Sequence, residues 1–473
     1  MARDAPVPPA RRARHEHEPA AVRPPRLHAV RSPRAGRFRQ GLCGWTLAAL
    51  LIATLASAGA VDGPAPARQP AAEAPQNEPL EIGFLAFGDS GLHYDYMQTG
   101  TPAPTKEAFI AKYRRYWIGN RRDPRDFRPP PAYFHGKLDS FVIASGMQPV
   151  ASAMQRLCLD FSCAFAVMLG DNIYPSGAEA NEDDRHRFRV MFSEPFGDFG
   201  SGNPDYRIYT ALGNHDWRTS REGAMAQVTF LRDNPPFFMD GNVYRVKPPA
   251  AKGQVEIFVI DTTVLLAGET VPLAGLHPDG SEAATGKIES FDPWAKPATT
   301  RERNMADWLE ESLRGSTARW RFVAAHHPIW STGGYKFEQA RVLRRLLLPA
   351  LCRHADGYLA GHDHTLELHE DSCAAVLGDE SVPLLQIVSG AASKQRGVNT
   401  AFRAHQSARY PANRVLFAKG MTWGFAHLQL KGDRAVVSMF STPNSSSGDA
   451  VLEFRHAFTR RSGQLGHALV ARE

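Results

Sequence analysis

Short apolar runs recur along this chain, and most of them end on a polar block that joins glycine to residue types able to hold a metal ion. IGFLAF ends at Phe87 before GDSG (Gly88 to Gly91), CAFAVML at Leu169 before GDNIY, and YRIYTAL at Leu212 before GNHD. WRFVAA ends at Ala325 inside VAAHH, GYLA ends at Ala360 before GHDH, and VEIFVI, ending at Ile260, carries no block. Runs this short and this apolar read as strands buried on both faces. Helical patterns lie between several of them, at Met147 to Leu157, Arg301 to Leu313 with a stop at Gly315, and Phe337 to Arg353. Strands alternating with helices predict βαβ units and a mainly parallel sheet, whose ligands bind beyond the carboxyl ends of the strands. All five blocks fall there. After Gly361 the pattern changes to strands without long helices, near Leu384, Phe425 and Arg434, which predicts a second, more antiparallel sheet packed on the first.

The formal charge of +6 on 473 residues looks like a nucleic-acid signal until it is located. Residues 1–60 hold ten Arg against Asp4, Glu16 and Glu18; beyond them 45 basic and 46 acidic residues remain, a net of −1. The body is therefore neutral, and no nucleic-acid partner is expected. Residues 1–40 are rich in Arg and Pro and precede an uncharged apolar stretch from Cys43 to Ala60, the pattern of an export signal with small residues at Ala56, Ser57, Ala58 and Ala60 for cleavage. Cleavage predicts a periplasmic or secreted protein. Retention would make residues 43–60 a membrane tether. Residues 61–80 read as a disordered linker, 81–445 as the catalytic domain and 446–473 as a C-terminal tail. Nothing in the chain fixes an oligomeric state.

Export leaves four cysteines in the body. In an oxidising compartment they pair, with Cys158–Cys163 and Cys352–Cys373 the preferred connectivity of three; the alternative is four buried thiols. Between Asp89 and Asp171 a basic, aromatic segment begins at Lys112 and stops at a run of prolines. It is either a lid or anion-guiding flap, or a solvated surface excursion, and the excursion is the expectation for a long charged loop.

Each block alone is weak, because Gly and Asp together most often make only a turn. Jointly they supply carboxylate, phenol, amide and imidazole in the numbers that two adjacent cations need. His362 and His364 are two apart, so an extended backbone would turn both rings to one side. Asp171 and Tyr174 are three apart, which on a helical turn would bring both oxygens to one face.

The ordered set GDxG, GDxxY, GNH[DE], VxxH and GHxH resembles the calcineurin-like metallophosphoesterase superfamily, specifically the purple acid phosphatases of tartrate-resistant type, over roughly Glu81 to Ser441. The resemblance implies a four-layer α/β/β/α sandwich of two mixed sheets. It implies Fe(III) on Asp89, Asp171, Tyr174 and His364, with Asp171 bridging to a divalent Fe, Zn or Mn ion on Asn214, His326 and His362. His215 then acts as acid or transition-state stabiliser, Asp216 orients it, and His327 is either a catalytic helper or an outer-sphere histidine. The implied activity is an acid phosphatase that cleaves small phosphate monoesters with a metal-activated hydroxide; the alternatives are a phosphodiesterase or nucleotide hydrolase on the same dinuclear site, or a non-catalytic phosphate-binding relative. Two aspartates and a phenolate set −3 against +5, so the site keeps excess positive charge for a phosphate dianion.

Overall fold

A computed structural model describes residues 80–96, 102–378, 382–443 and 448–461; the expected signal or tether and most of the linker lie outside these residues. The strands in the first half are β1 (Glu81–Phe87), β2 (Ala132–His135), β3 (Ser140–Ile143), β4 (Phe165–Leu169), β5 (Ile208–Ala211), β6 (Phe237–Phe238), β7 (Tyr244–Val246) and β8 (Val255–Val259). Those in the second half are β9 (Trp320–Ala324), β10 (Gly357–Ala360), β11 (Leu366–Asp371), β12 (Leu384–Ser389), β13 (Asn413–Lys419), β14 (Trp423–Lys431), β15 (Arg434–Thr442) and β16 (Val451–Thr459).

Two seven-stranded mixed sheets result, ordered β16-β15-β14-β1-β4-β5-β6 and β13-β11-β12-β10-β9-β8-β7, with β2 and β3 as a separate hairpin. In the first, β1, β4, β5 and the edge strand β6 run parallel. At the centre of the second, β8, β9, β10 and β12 do the same. The sheets meet through side chains such as Phe84 on β1 and Phe322 on β9, whose rings lie 5.6 Å apart edge to face. Helices cover the outer faces: Met147–Asp160 packs on β14 and β15, and Phe337–His354 packs with Met305–Arg314 beside the second sheet. Every residue of β4, β5, β8, β10 and β12 is buried, as continuous apolar strands between two layers require. The expected four-layer sandwich is the observed one.

Four details differ from the sequence reading. The strands after Gly361 do not make a sheet of their own: β14, β15 and β16 extend the first sheet antiparallel from β1, while β11, β12 and β13 build the second. Alternation and burial identify a strand, but which edge it joins depends on where the chain has already been laid down. The same stretch holds a ten-residue helix, Thr400–Arg409, capped by the Asn399 side chain. The pattern from Arg301 to Leu313 breaks at Asn304, because a capping box of Thr299 and Glu302 closes a short first helix, Thr300–Arg303, before Met305–Arg314 begins. Finally, Val451–Thr459 of the expected tail is the edge strand β16, so the folded body runs beyond residue 445.

Both preferred cysteine pairs are disulfides, with Cα atoms 5.5 Å and 5.6 Å apart. Among the described residues no helix is long and apolar enough to cross a membrane.

The basic aromatic segment is tied down at a few points, while most of its residues stay exposed or half-exposed as a surface excursion would. Its helix α1 (Lys106–Gly119), capped by Thr105, buries Trp117 and is followed by Arg122, which is only 6% exposed. Trp117 packs on the loop after β12 so tightly that a Cβ on Gly397 would run into its ring.

Candidate metal centre

The blocks come together at the carboxyl ends of the two parallel cores. Asp89 follows β1, Asp171 follows β4 and Asn214 follows β5 in the first sheet, while His326 follows β9 and His362 and His364 follow β10 in the second. Asp89, Asp171 and His362 each adopt a left-handed backbone, with φ of 57°, 52° and 66°. For residues with a Cβ this costs on the order of 1 kcal/mol each, and such strain collects at functional sites. It turns the chain sharply off the strand end. The glycines serve this crowding: a Cβ on Gly361 would lie 2.6 Å from Asp89 Oδ2, and one on Gly170 would lie 2.8 Å from His326 Nδ1. They let the blocks approach one another.

Two clusters of ligand atoms form. In the first, the Tyr174 hydroxyl lies 2.7 Å from Asp171 Oδ2, 2.8 Å from Asp89 Oδ1 and 3.2 Å from His364 Nε2, with His364 Nε2 also 3.3 Å from Asp89 Oδ1. One hydroxyl carries one proton, so it cannot satisfy both carboxylates. In the second, His326 Nε2 and His362 Nδ1 face each other at 3.1 Å, and His326 Nε2 lies 3.3 Å from Asp171 Oδ1. Two ligands of one ion at ordinary nitrogen–metal distances stand roughly 3 to 3.4 Å apart. Asp171 thus turns one oxygen to each cluster. Asn214 sits between Gly213 and His215, whose N–H donates to Asp171 Oδ1 at 2.8 Å, and its enclosed Oδ1 has no hydrogen-bond partner. An enclosed acceptor without a donor, a hydroxyl with too many acceptors and two imidazole nitrogens turned on one point all fit a pair of cations.

Electrostatics agree with that fit. Burial, with the neighbouring Asp171, pushes Asp89 up to about 7, and burial beside both carboxylates drives Tyr174 well above its usual range. Burial holds His362 and His364 well below theirs, in the neutral form that ligates metals. Burial also opposes charge on His326, but Asp171 outweighs it and carries His326 up to about 9, the same positive charge a cation would bring to that spot. The opposite oxygen ligand answers in kind: despite burial, His326 and His215 bring Asp171 well below the carboxylate range.

The expected geometric reasons were only half right. His362 and His364 are brought into different clusters by a left-handed bend rather than to one side by an extended strand. Tyr174 reaches Asp171 from an irregular loop, not from a helical turn. In both pairs, close packing against the opposite sheet selects a conformation that residue spacing does not encode.

Asp216 does not orient His215. Its carboxylate accepts from the backbone N–H groups of Gly213 (2.7 Å), Ile173 (3.0 Å) and Asn172 (3.1 Å), tying the second block to the third. His215 is held instead by the Pro175 carbonyl, 2.7 Å from its Nδ1, and its ring lies edge-on to Tyr174 at 4.3 Å. His327 packs against the imidazoles, 4.3 Å from the His362 ring, with Thr262 Oγ1 2.9 Å from its Nδ1. Leu169 O anchors His326 Nδ1 at 2.9 Å, and such outer contacts fix which nitrogen faces the metal.

Two cations beside the site were not foreseen. Lys394 Nζ stands 4.0 Å over the Tyr174 ring, and Arg396 Nη1 donates to His362 O at 3.1 Å and Asp363 Oδ1 at 3.0 Å. Both come from the loop after β12. Their only trace in the sequence is SKQR after an apolar run, which an ordinary surface loop would also show.

Residues 152–366 match the family model of the calcineurin-like phosphoesterases, a span that includes four of the five blocks. Over 251 residues the chain is 28% identical to purple acid phosphatase 17 of Arabidopsis thaliana, covering 52% of this chain and 63% of that one. It is 26% identical over 251 residues to tartrate-resistant acid phosphatase type 5 of Sus scrofa, covering 51% and 62%. The chain thus spans about three fifths of the length of these relatives. Among solved structures, a purple acid phosphatase from yellow lupin seeds aligns with a TM-score of 0.46 and 13% identity, over 82% of this chain and 55% of that one. With the motif order and the family match in agreement, residues 152–366 are similar to the calcineurin-like phosphoesterases, and the chain is similar to the purple acid phosphatases among them.

Proposed function

We propose that this protein is an exported acid phosphatase for small phosphate monoesters. In this reading Asp89, Asp171, Tyr174 and His364 would hold Fe(III), and Asn214, His326 and His362 would hold a divalent ion, with Asp171 turning one oxygen to each group. The observation that carries it is the Tyr174 hydroxyl, which has a single proton to give to two carboxylates and lies beside the His364 imidazole. A phenolate is a ligand for a hard trivalent ion, so its place in the first cluster supports iron there. The two disulfides support an oxidising compartment and hence export.

When bound, the two cations supply Lewis acidity that activates water and neutralises the phosphoryl oxygens. The chain does the rest. Lys394 and Arg396 add positive charge at the mouth of the site and draw the substrate dianion in. His215 donates Nδ1–H to the Pro175 carbonyl, and burial lowers its ring to about 3, so it stays neutral in mild acid. Its Nε2 accepts a hydrogen bond from an arriving monoester monoanion and guides that proton's transfer to the departing oxygen. Its ring, packed on Tyr174, is fixed for that transfer. His327 positions His362 by packing, and Asp216 holds the two loops from which Asp171, Asn214 and His215 project.

Metal analysis and a visible spectrum test this directly. The expected outcome is iron with a charge-transfer band that Tyr174→Phe abolishes, in a protein that turns over an activated aryl phosphate in mild acid. A colourless, iron-free wild type with full activity would reject the ferric assignment.

A further inference from the structure

The strand β8 ends without a metal-binding block, yet the two residues after Ile260 brace the centre from outside. Asp261 caps the short helix Thr262–Ala267, accepting the N–H groups of Thr263 and Val264 at 3.1 Å each, and takes the Trp217 indole N–H at 2.9 Å. Trp217 directly follows the GNHD block, so this cap ties β8 to the loop of Asn214 and His215. Thr262, fully buried, turns to the VAAHH block instead. Its Oγ1 accepts the backbone N–H of His327 at 3.0 Å and lies 2.9 Å from Nδ1 of the same residue's ring. A hydroxyl has one proton to give. Among the described residues no other group lies within hydrogen-bond reach of Thr262 Oγ1, so that proton either goes to Nδ1 or stays unpaired in a buried place. Nδ1 is therefore the acceptor, and the ring's own proton stands on Nε2. A positively charged ring fails the same test, because it would donate from both nitrogens and strand the Thr262 proton. The Nε2–H that results is enclosed, belongs to a side chain 1% exposed, and has no hydrogen-bond partner among the described residues. Its ring lies 4.3 Å from that of His362 and 4.9 Å from that of His326, and each of the three histidines brings a ring nitrogen within 4.8 Å of the others. Unpaired buried donors are costly and rare, so this one calls for an acceptor at the metal centre.

We propose that Thr262 is a positioning residue that fixes His327 with its proton on Nε2, so that this ring donates a hydrogen bond to the anion bound at the metal centre and does not ligate the divalent ion. One proton separates the two roles open to a histidine beside His326 and His362: a nitrogen that ligates a metal is bare, whereas one that serves a phosphoryl oxygen carries hydrogen. Packing on His362 accounts for where the ring lies, and Thr262 accounts for which nitrogen is protonated. A donor held ready in this way gains strength as charge gathers on the phosphoryl oxygens. The proposal rests on the phosphoesterase reading above for the identity of the anion.

The test is nitrogen NMR of the full chain carrying isotope-labelled histidine and loaded with Ga(III) and Zn(II), which are diamagnetic. His327, assigned by its absence from the His327→Phe spectrum, is expected as the Nε2–H form with a bare, hydrogen-bonded Nδ1. A metal-bound Nε2, or a proton on Nδ1, would overturn the proposal. Calorimetric binding of inorganic phosphate to the same preparation should weaken about tenfold in His327→Phe and in Thr262→Val, the worth of one hydrogen bond to a charged group. Thr262→Val removes the hydroxyl at nearly constant shape, and Thr262→Ser, which returns it, should restore the affinity. Wild-type affinity in Thr262→Val or in His327→Phe would also overturn the idea, and His327→Phe serves alone if Thr262→Val fails to fold. Aryl phosphate turnover by the iron-loaded wild type reads the phosphoesterase activity separately. Its absence would reject the enzymatic reading and leave the spectrum and the phosphate affinity to judge Thr262 and His327.

Discussion

The first sheet carries the candidate oxygen ligands of the metal centre and the second carries the candidate nitrogen ligands. Asp89, Asp171, Tyr174 and Asn214 follow strands β1, β4 and β5, whereas His326, His362 and His364 follow β9 and β10, with Lys394 and Arg396 after β12. Both clusters draw on both sheets: Tyr174 and the two aspartates meet His364, and Asp171 meets His326. Neither sheet therefore assembles either cluster alone, and both clusters exist only where the two are packed together. The halves also differ in what they want from the solvent. Burial makes Asp89 reluctant to lose a proton and His362 and His364 reluctant to gain one, while Asp171 and His326, which face each other, shift the opposite way.

The severest way to break this pairing is Asp171→Asn, which weakens the only carboxylate shared by both clusters. Loss of both metals and a fall in kcat/KM beyond the roughly 10–100-fold typical of outer-sphere changes is expected, read by metal analysis and aryl phosphate turnover. Retention of both ions would show that the halves bind independently. A smaller effect is expected from Asp216→Asn, which puts an amide donor where backbone N–H groups now converge. Folding stability should drop by about 2 kcal/mol, measured by denaturant melts, with little change in the metal content of the folded fraction.

The mildest test sharpens the contrast in proton affinity. Asp89, pushed up to about 7, binds a proton in the folded but not the unfolded chain between pH 4 and 6.5, so its contribution to stability is lost as pH rises. His362, held well below 6.5, is protonated only when unfolded in that window, so its contribution is lost as pH falls. In chelator-treated protein, Asp89→Asn should make stability rise more steeply from pH 4 to 6.5, and His362→Gln should flatten the rise. Parallel slopes in the two variants would erase the difference between the halves.

The sequence by itself determined the strands, the order of the ligand-bearing blocks and the chemistry of each ligand, because burial of continuous apolar runs and the donor atoms of Asp, Tyr, Asn and His are local properties. IGFLAF before Asp89 and GYLA before His362 were legible on those grounds alone. Tertiary structure decided everything that depends on where one segment meets another: the split of the late strands between two sheets, the left-handed bends that part His362 from His364, the Pro175 rather than Asp216 contact to His215, and the docking of α1 on Gly397. The reason is physical. A residue's donor set and hydrophobicity travel with its side chain, but the partner that satisfies it is chosen by packing between segments hundreds of positions apart, as when Asp89 Oδ2 accepts from the N–H of His362.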